Sequence, residues 1–509
     1  MAEKIYGMIK SNIYFKDNPE LCGTYEGKDI LKRPVVWALR KGRNNKTIIL
    51  MGHYDAVEIE SYGVLKPYAL NPKLLKKKFK EVEIGNEELK EDLENEDWAF
   101  GRGIADMKAG IAINMHTLFT NGNKDINILF IAVPDEENMS SGAIQSIELY
   151  KILEDRFNLD YKLCIISEPQ FRNVGEDIQL IEGSMGKFLP IIMAKGILTH
   201  SAQIFNGLNS GFIISESIRN IELSTEIISE DMGIFTQPPT VQIFKDLKTT
   251  YDASVPEYSV ACFNVLFLNN RTPLSIIENF KGICKKSLDY VIEKYNEAFD
   301  VMKEKGFIEE KARKHFRTEI ITLAQLEDRV MQYKRDFNSY KEEMDKMLED
   351  KIRNHEITLQ DASIHYMKSL LEVSGIDYPV IVIGIAPPYY PAVNNEAIGE
   401  DINYCLQNLS EYMNQKYGIK TKKVPYLSGM TDMSYMSSVN PEEERKFLNN
   451  LTLPATIYDV PVEKISELNI PSLMIGPASK DVHQIGERVY MPDVIRRIPD
   501  VFNRIIEKL

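Results

Sequence analysis

Four short apolar runs in this chain each lead into a residue of the kind that binds a cation. Lys46–Met51 leads into His53-Tyr54-Asp55, and Ile126–Val133 into Asp135-Glu136-Glu137. Leu163–Ile166 leads into Glu168-Pro169, and Pro471–Ile475 is followed a few residues on by His483. Each run reads as a strand of an α/β sheet. In open sheets of that class the strand carboxyl ends form the ligand crevice, so these residues should converge. Two imidazoles and several carboxylates at one place suit a divalent metal, with zinc the best match to that donor set.

The 509 residues allow two or three domains with a large core. A net charge of −14 gives no electrostatic reason to expect nucleic acid as a partner. No apolar run reaches the roughly 18–20 residues of a membrane span, and the first residues lack the apolar stretch of a secretory signal. Cys22, Cys164, Cys262, Cys284 and Cys405 are scattered and form no Cys-x-x-Cys pair, which suits free thiols in a reducing compartment. The expectation is a cytoplasmic protein.

Strands alternate with amphipathic helices from residue 1 to 186, giving the first part of a sheet covered on both faces. A Lys/Glu-rich stretch from Glu58 to Asp97 interrupts it, as a lid over the site or as a solvated insertion. Residues 187–355 change rhythm: strands at Phe188–Met193, Thr240–Phe244 and Tyr258–Leu268, helices at Ser210–Leu223 and Leu274–Lys305. This suits an inserted, smaller α+β domain, after which residues 356–509 return to the first. Thr272, Pro273 and Gly306 bracket the second helix as N-cap, first-turn proline and stop. Within the insert, Leu323, Leu326, Val330, Tyr333, Phe337, Tyr340, Met344 and Met347 form a heptad stripe, predicting one long helix over about 323–352. It would be an arm that holds a second subunit, or an amphipathic helix lying on Leu274–Lys305 of its own chain.

His53 and Asp55, two apart at a strand end, leave from one face, so Asp55 can hold the second ring nitrogen of a metal-bound His53. Taken alone the pair also reads as a surface ion pair. Asp106, in Phe100-Gly-Arg-Gly-Ile-Ala-Asp-Met-Lys-Ala-Gly110, sits in a glycine-pinched loop before a helix. It is either an N-cap or an acid whose two oxygens bridge two cations. His116, inside that helix, reads as packing or surface. The adjacent Glu136 and Glu137 repel each other, and a cation or proton would offset that. One would bind metal while the other takes a proton from water. Glu168 adds an oxygen ligand and His483 a nitrogen.

These motifs, with Ser167-Glu168-Pro169 and His483-x-x-x-Glu487, resemble the metal motifs of the zinc aminoacylase/carboxypeptidase family. Asp97-Trp98-x-Phe100-Gly-Arg-Gly, Gly183-Ser-Met-Gly-Lys187 and Ala386-Pro-Pro-Tyr-Tyr-Pro391 resemble its arginine-utilisation, RocB-type branch. The resemblance implies an α/β catalytic domain with a mixed, helix-flanked sheet and an inserted lid domain that dimerises. It implies two Zn²⁺ ions, with Co²⁺ or Mn²⁺ as substitutes: His53 and Glu168 on one, Glu137 and His483 on the other, and Asp106 between them. Asp55 would orient His53, Glu136 would be the general base, and His200 in Gly196-Ile-Leu-Thr-His would stabilise the oxyanion. The peptide after the bridging acid is often cis in this family. The activity implied is hydrolysis of an amide bond in a small peptide or N-acyl amino acid, through a metal-activated water. The alternatives are a non-catalytic metal-binding or regulatory protein on the same fold, and an interaction protein organised by the heptad helix. Gly429-Met-Thr-Asp432 resembles a backbone loop lining the substrate pocket. Many members carry a carboxylate-gripping arginine on a lid strand. Phe263–Leu268 lacks it, and Arg271 is a weak substitute.

Overall fold

The computed structural model describes residues 1–83, 85–123 and 125–509. The chain divides into two compact units. The first comprises Met1–Met185, Ala392–Val439 and Glu463–Leu509, and the second Gly186–Pro391 with Asn440–Val462.

The first unit is built on an eight-stranded mixed sheet. Across it lie Cys22–Tyr25, Val35–Arg40, Asn127–Val133, Lys46–His53, Asp160–Ile166, Ser472–Met474, Ile178–Ile181 and Thr421–Val424. The Lys46–His53 strand pairs parallel to Asn127–Val133 on one side and to Asp160–Ile166 on the other, and Ser472–Met474 continues the parallel run. The register places His53 opposite Val133, and Met51 opposite Ile166. The first two carboxyl ends therefore finish level, and Asp160–Ile166 ends two positions short of His53, with Glu168 two residues beyond it. Asn127–Val133 is buried at every position, because helices such as Ala109–Thr120 and Ser141–Phe157 cover such a sheet.

A small sheet of Ser479–Lys480, Arg488–Tyr490 and Trp98–Phe100 stands beside the large one. Its hairpin carries His483 at the turn, and Trp98–Phe100 runs directly into the glycine-pinched loop of Asp106. The described residues of the Glu58–Asp97 stretch back this sheet and are folded. Helices Pro72–Phe79 and Glu87–Glu94 start on Asn71 and Asn86, whose side chains accept the N–H groups of Leu74 and Leu89. Tyr62, Leu65, Leu75, Phe79, Leu89 and Leu93 bury against Trp98, Phe100 and Tyr490. The charged residues form the outer face of a local core.

In the second unit a five-stranded sheet orders Thr240–Asp246, Tyr258–Phe267, Gly186–Lys195, Val380–Tyr390 and Glu319–Thr322. The Val380–Tyr390 strand, wholly buried, pairs with Gly186–Lys195, so this unit extends to Pro391, beyond the change of rhythm at 355. Thr272 caps the Pro273–Glu304 helix, and Gly306 beyond it adopts a φ of 75°. His200 is exposed at the start of a short turn, its Nδ1 accepting the Ala202 N–H at 3.0 Å.

The heptad stripe does not make one long helix. It forms two, Leu323–Tyr333 and Phe337–Arg353, broken at Lys334-Arg335-Asp336. Their partner is the Leu359–Val373 helix of the same chain, not Leu274–Lys305: Tyr340 Oη donates to Ser369 O at 3.3 Å, and Tyr366 Oη donates to Glu327. Leu326, Val330, Phe337 and Met344 are buried, whereas Tyr333 and Met347 are exposed.

Asp345 in the second helix is partly buried, and its Oδ1 has no hydrogen-bond partner. Burial raises its pKa to about 6, Lys341 opposing and Glu327 and Glu342 reinforcing. The folded chain thus holds this proton at pH values where the unfolded chain has lost it, so the residue costs stability as pH rises through about 4 to 6. Asp345→Asn should stabilise by about 1–2 kcal/mol above pH 6. Melting curves should show the gain shrinking steadily from pH 6 to pH 4; a gain independent of pH would refute the burial cost.

Candidate metal centre

The carboxyl ends of the parallel strands and the small sheet bring His53, Asp55, Asp106, Glu136, Glu137, Glu168 and His483 together within the first unit. His53 ends its strand fully buried, with Nε2 2.8 Å from Asp106 Oδ1 and 3.7 Å from Glu168 Oε1. The other Asp106 oxygen, Oδ2, lies 3.0 Å from His483 Nε2, which is also 3.1 Å from Glu137. Asp106 thus faces one imidazole with each oxygen. It is not an N-cap, since the following helix starts at Ala109 behind Lys108, and the Asp106–Met107 peptide is cis.

Asp55 Oδ1 lies 3.4 Å from His53 Nδ1. Its two oxygens also accept the backbone N–H groups of Glu136 and Glu137, each at 3.3 Å. One carboxylate therefore holds the loop that carries the paired acids and stands beside His53 Nδ1, which makes no hydrogen bond. Burial works against its charge, but His53 and the Glu137 N–H outweigh burial and hold Asp55 below the usual range.

Charge in the cluster is strongly biased. Burial, opposed by His53 and reinforced by Asp432 and Asp106, pushes Glu136 well above the ordinary carboxyl range. Burial does the same to Glu168, with Asp106 and Glu136 adding to it. For Asp106, burial is outweighed by His483 and His53, which hold it well below the usual range. Hydrogen bonds to Asp106 and Glu137 raise His483 to about 10. His53 is raised well above its ordinary value, since Glu168 and Asp106 overcome its desolvation. This constellation calls for positive charge, which a divalent cation supplies.

Donor spacing supports the same fit. Glu168 Oε1 is buried and receives no hydrogen bond, and its 3.7 Å to His53 Nε2 is too long for one. Two ligands of a tetrahedral ion with ~2 Å bonds stand about 3.3 Å apart, close to what His53, Glu168, Asp106, Glu137 and His483 present. His53, Asp106 and Glu137 each offer one ligand atom within 4.8 Å of the others.

Several residues at the site had no distinct signal in the sequence. Arg33, in the loop after Cys22–Tyr25, grips Asp135 through Nη1 and, at 2.8 Å, Nη2, and also binds Asp29. Asp135, with φ 74°, is therefore an anchor for the Glu136-Glu137 loop and not a ligand. Asp432 contributes its side chain as well as its loop. It is buried beside the cluster, raised to about 7 by burial despite a hydrogen bond from Ser140. His116 is exposed on its helix. Arg271 donates to Ile228 O at 2.9 Å and Asn279 Oδ1 at 2.6 Å, and so is committed inside the second unit.

Comparison with known proteins agrees with this architecture. Residues 49–508 match the model of peptidase family M20/M25/M40. The chain is 31% identical over 519 residues to the uncharacterised protein YqjN of Bacillus subtilis, covering 100% of this chain and 92% of the relative. It is 25% identical over 518 residues to protein RocB of the same organism, covering 98% and 89%. The fold is similar to that of an M20 metallo-carboxypeptidase from Sulfolobus solfataricus, with a TM-score of 0.52 at 12% identity, covering 99% and 92%. The chain belongs to peptidase family M20/M25/M40.

Proposed function

We propose that this chain is a dinuclear zinc hydrolase that cleaves an amide bond of a small peptide or N-acyl amino acid. The observation that carries the reading is Asp106, whose two oxygens address His53 and His483 separately at 2.8 and 3.0 Å. His53 and Glu168 would hold one ion, Glu137 and His483 the other, with Asp106 shared. Two such ions, when bound, lower the pKa of a water toward ~7 and polarise the scissile carbonyl.

Glu136 is the proton carrier in this reading. It stands next to Glu137 at the end of a buried strand, with its backbone N–H on Asp55 Oδ1 at 3.3 Å, a place suited to a group that takes a proton from water and returns it to the leaving amine. Asp55 holds the His53 ring, and Arg33 holds the loop of Glu136 through Asp135. His200, exposed on the second unit, is the proposed donor to the tetrahedral oxygen. Arg271 is engaged by Ile228 O and Asn279, so it does not supply the grip for a free substrate carboxylate. The reading includes a homodimer through the second unit. It is supported by the outer strand Thr240–Asp246, which pairs on one side only among the described residues and exposes Phe244.

The test is zinc content per chain by plasma mass spectrometry, followed by turnover of a panel of dipeptides and N-acyl amino acids by the wild type and His200→Ala. About two zinc ions per chain with amide cleavage is the expected result, His200→Ala losing kcat but no zinc. Two ions with no turnover across the panel would favour a metal-binding regulatory protein, and no zinc would end the reading.

A further inference from the structure

His483 is an unusual ligand for its surroundings. Its side chain is 48% exposed, so packing does not hold the ring in place. Its backbone is in the left-handed region, φ 65°, in a turn that also places Asp481 at φ 51°. Such angles are unfavourable for residues with a Cβ and persist where neighbouring groups enforce them. Arg488 Nη1 holds the turn at Asp481 and at Gly486 O, and a buried ion pair holds it at His483. Arg102 and Glu487, with side chains 2% and 0% exposed, meet at 2.5 Å. Arg102 Nη2 also donates to His483 O at 3.1 Å and to Ser61 Oγ at 3.0 Å, and Nε donates to Glu58 O at 3.1 Å. Glu487 Oε1 accepts the N–H of Ala105, the residue before Asp106, at 3.3 Å. The guanidinium lies 5.1 Å from the centre of the Tyr62 ring, and the Arg102 N–H donates to Ala69 O at 2.9 Å. One pair thus joins the His483 turn, the Asp106 loop and the folded 58–97 segment.

Stability alone does not account for it. Two apolar side chains of similar volume are often as stabilising as a buried ion pair, or more so. What apolar groups cannot supply is the set of directed hydrogen bonds to His483 O, Ala105 N and Ser61.

We propose that Arg102 and Glu487 are positioning residues that determine how tightly the His483–Glu137 end of the site holds its ion, with the 58–97 segment as their backing. The inference rests on the dinuclear reading. Hydrogen-bonding partners behind metal ligands typically change affinity by about 10–100-fold when removed.

Zinc titration of metal-free protein by calorimetry against a competing chelator tests it. The variants are Arg102→Met/Glu487→Met, Arg102→Lys and Glu487→Gln, with metal-free melting temperatures alongside. In the double variant the second ion should bind about 10–100-fold more weakly and the first should lose clearly less, since the pair reaches the shared Asp106 only through the Ala105 N–H. In a His483→Ala background, where the second ion is already weakened, the same double substitution should weaken it little further, since the pair acts through that residue. Arg102→Lys keeps the charge but loses the fork, and should not restore the second affinity. If the double variant fails to fold, Glu487→Gln, which preserves volume, carries the same expectation. A folded variant that binds both ions as wild type does, or loses both equally, overturns the inference and leaves the dinuclear reading standing. A wild-type chain that binds fewer than two ions overturns that reading itself.

Discussion

Glu136→Gln is expected to keep its zinc and lose roughly 10²–10⁴ in kcat, the size of a general-base contribution. The substitution preserves shape, and the backbone N–H of Glu136 stays on Asp55 Oδ1, so the loop has no reason to move. What disappears is a carboxyl whose hold on a proton is raised by burial and by Asp432 and Asp106. Because the group acts on the proton in flight and not on the bound substrate, kcat and kcat/KM should fall together. The neighbour supplies the contrast. Glu137 sits 3.1 Å from His483 Nε2, and Glu137→Gln should show first as lost zinc. Zinc content and kcat measured on both variants decide which adjacent acid does which job. Near-normal turnover by Glu136→Gln, or loss of zinc from it and not from Glu137→Gln, would refute the assignment.

The strand ends were readable because burial leaves a plain mark. Ile128–Val133 and Ile48–Met51 are apolar without alternation, and where such strands lie parallel their last residues meet. Spacing alone placed Asp55 beside His53. Where the sequence misled, a local pattern was answered by a distant partner. The heptad stripe runs unbroken through Lys334-Arg335-Asp336, yet the helix stops there, because both halves fold onto Leu359–Val373. The Glu58–Asp97 stretch looked solvated because its apolar residues are spaced between lysines and glutamates, and their burial depends on Trp98, Phe100 and Tyr490. Val380–Tyr390 reads like a return to the first sheet, since an apolar strand does not state which sheet it joins. Arg33 is an ordinary arginine in sequence, and Arg102 stands in a glycine-rich motif that does not state its partner. Their roles come from Asp135 and Glu487, 102 and 385 positions away.

Asp106→Ala should remove both zinc ions, not one, and with them all measurable turnover. In the proposed site each half would have two protein ligands besides Asp106: His53 with Glu168, and Glu137 with His483. Two ligands hold zinc poorly where stable sites use three or four. In the proposed site the Asp106 carboxylate would be shared by two like charges, and its negative charge would offset their repulsion. At an effective dielectric of ~20, each pair of unit charges 4 Å apart repels by about 4 kcal/mol, so two divalent ions without an anion between them are strongly disfavoured. Removing the carboxylate also frees His53 Nε2 and His483 Nε2 of their shortest contacts, so neither imidazole keeps its orientation. The core of the unit does not depend on this side chain, and circular dichroism of the variant should match that of the wild type. Metal analysis after dialysis separates the possibilities. Two ions falling to a small fraction of one establishes the bridge. Retention of one full ion would mean that Asp106 serves a single site, with the two halves independent. Retention of both would remove Asp106 from the ligand set and with it the dinuclear reading.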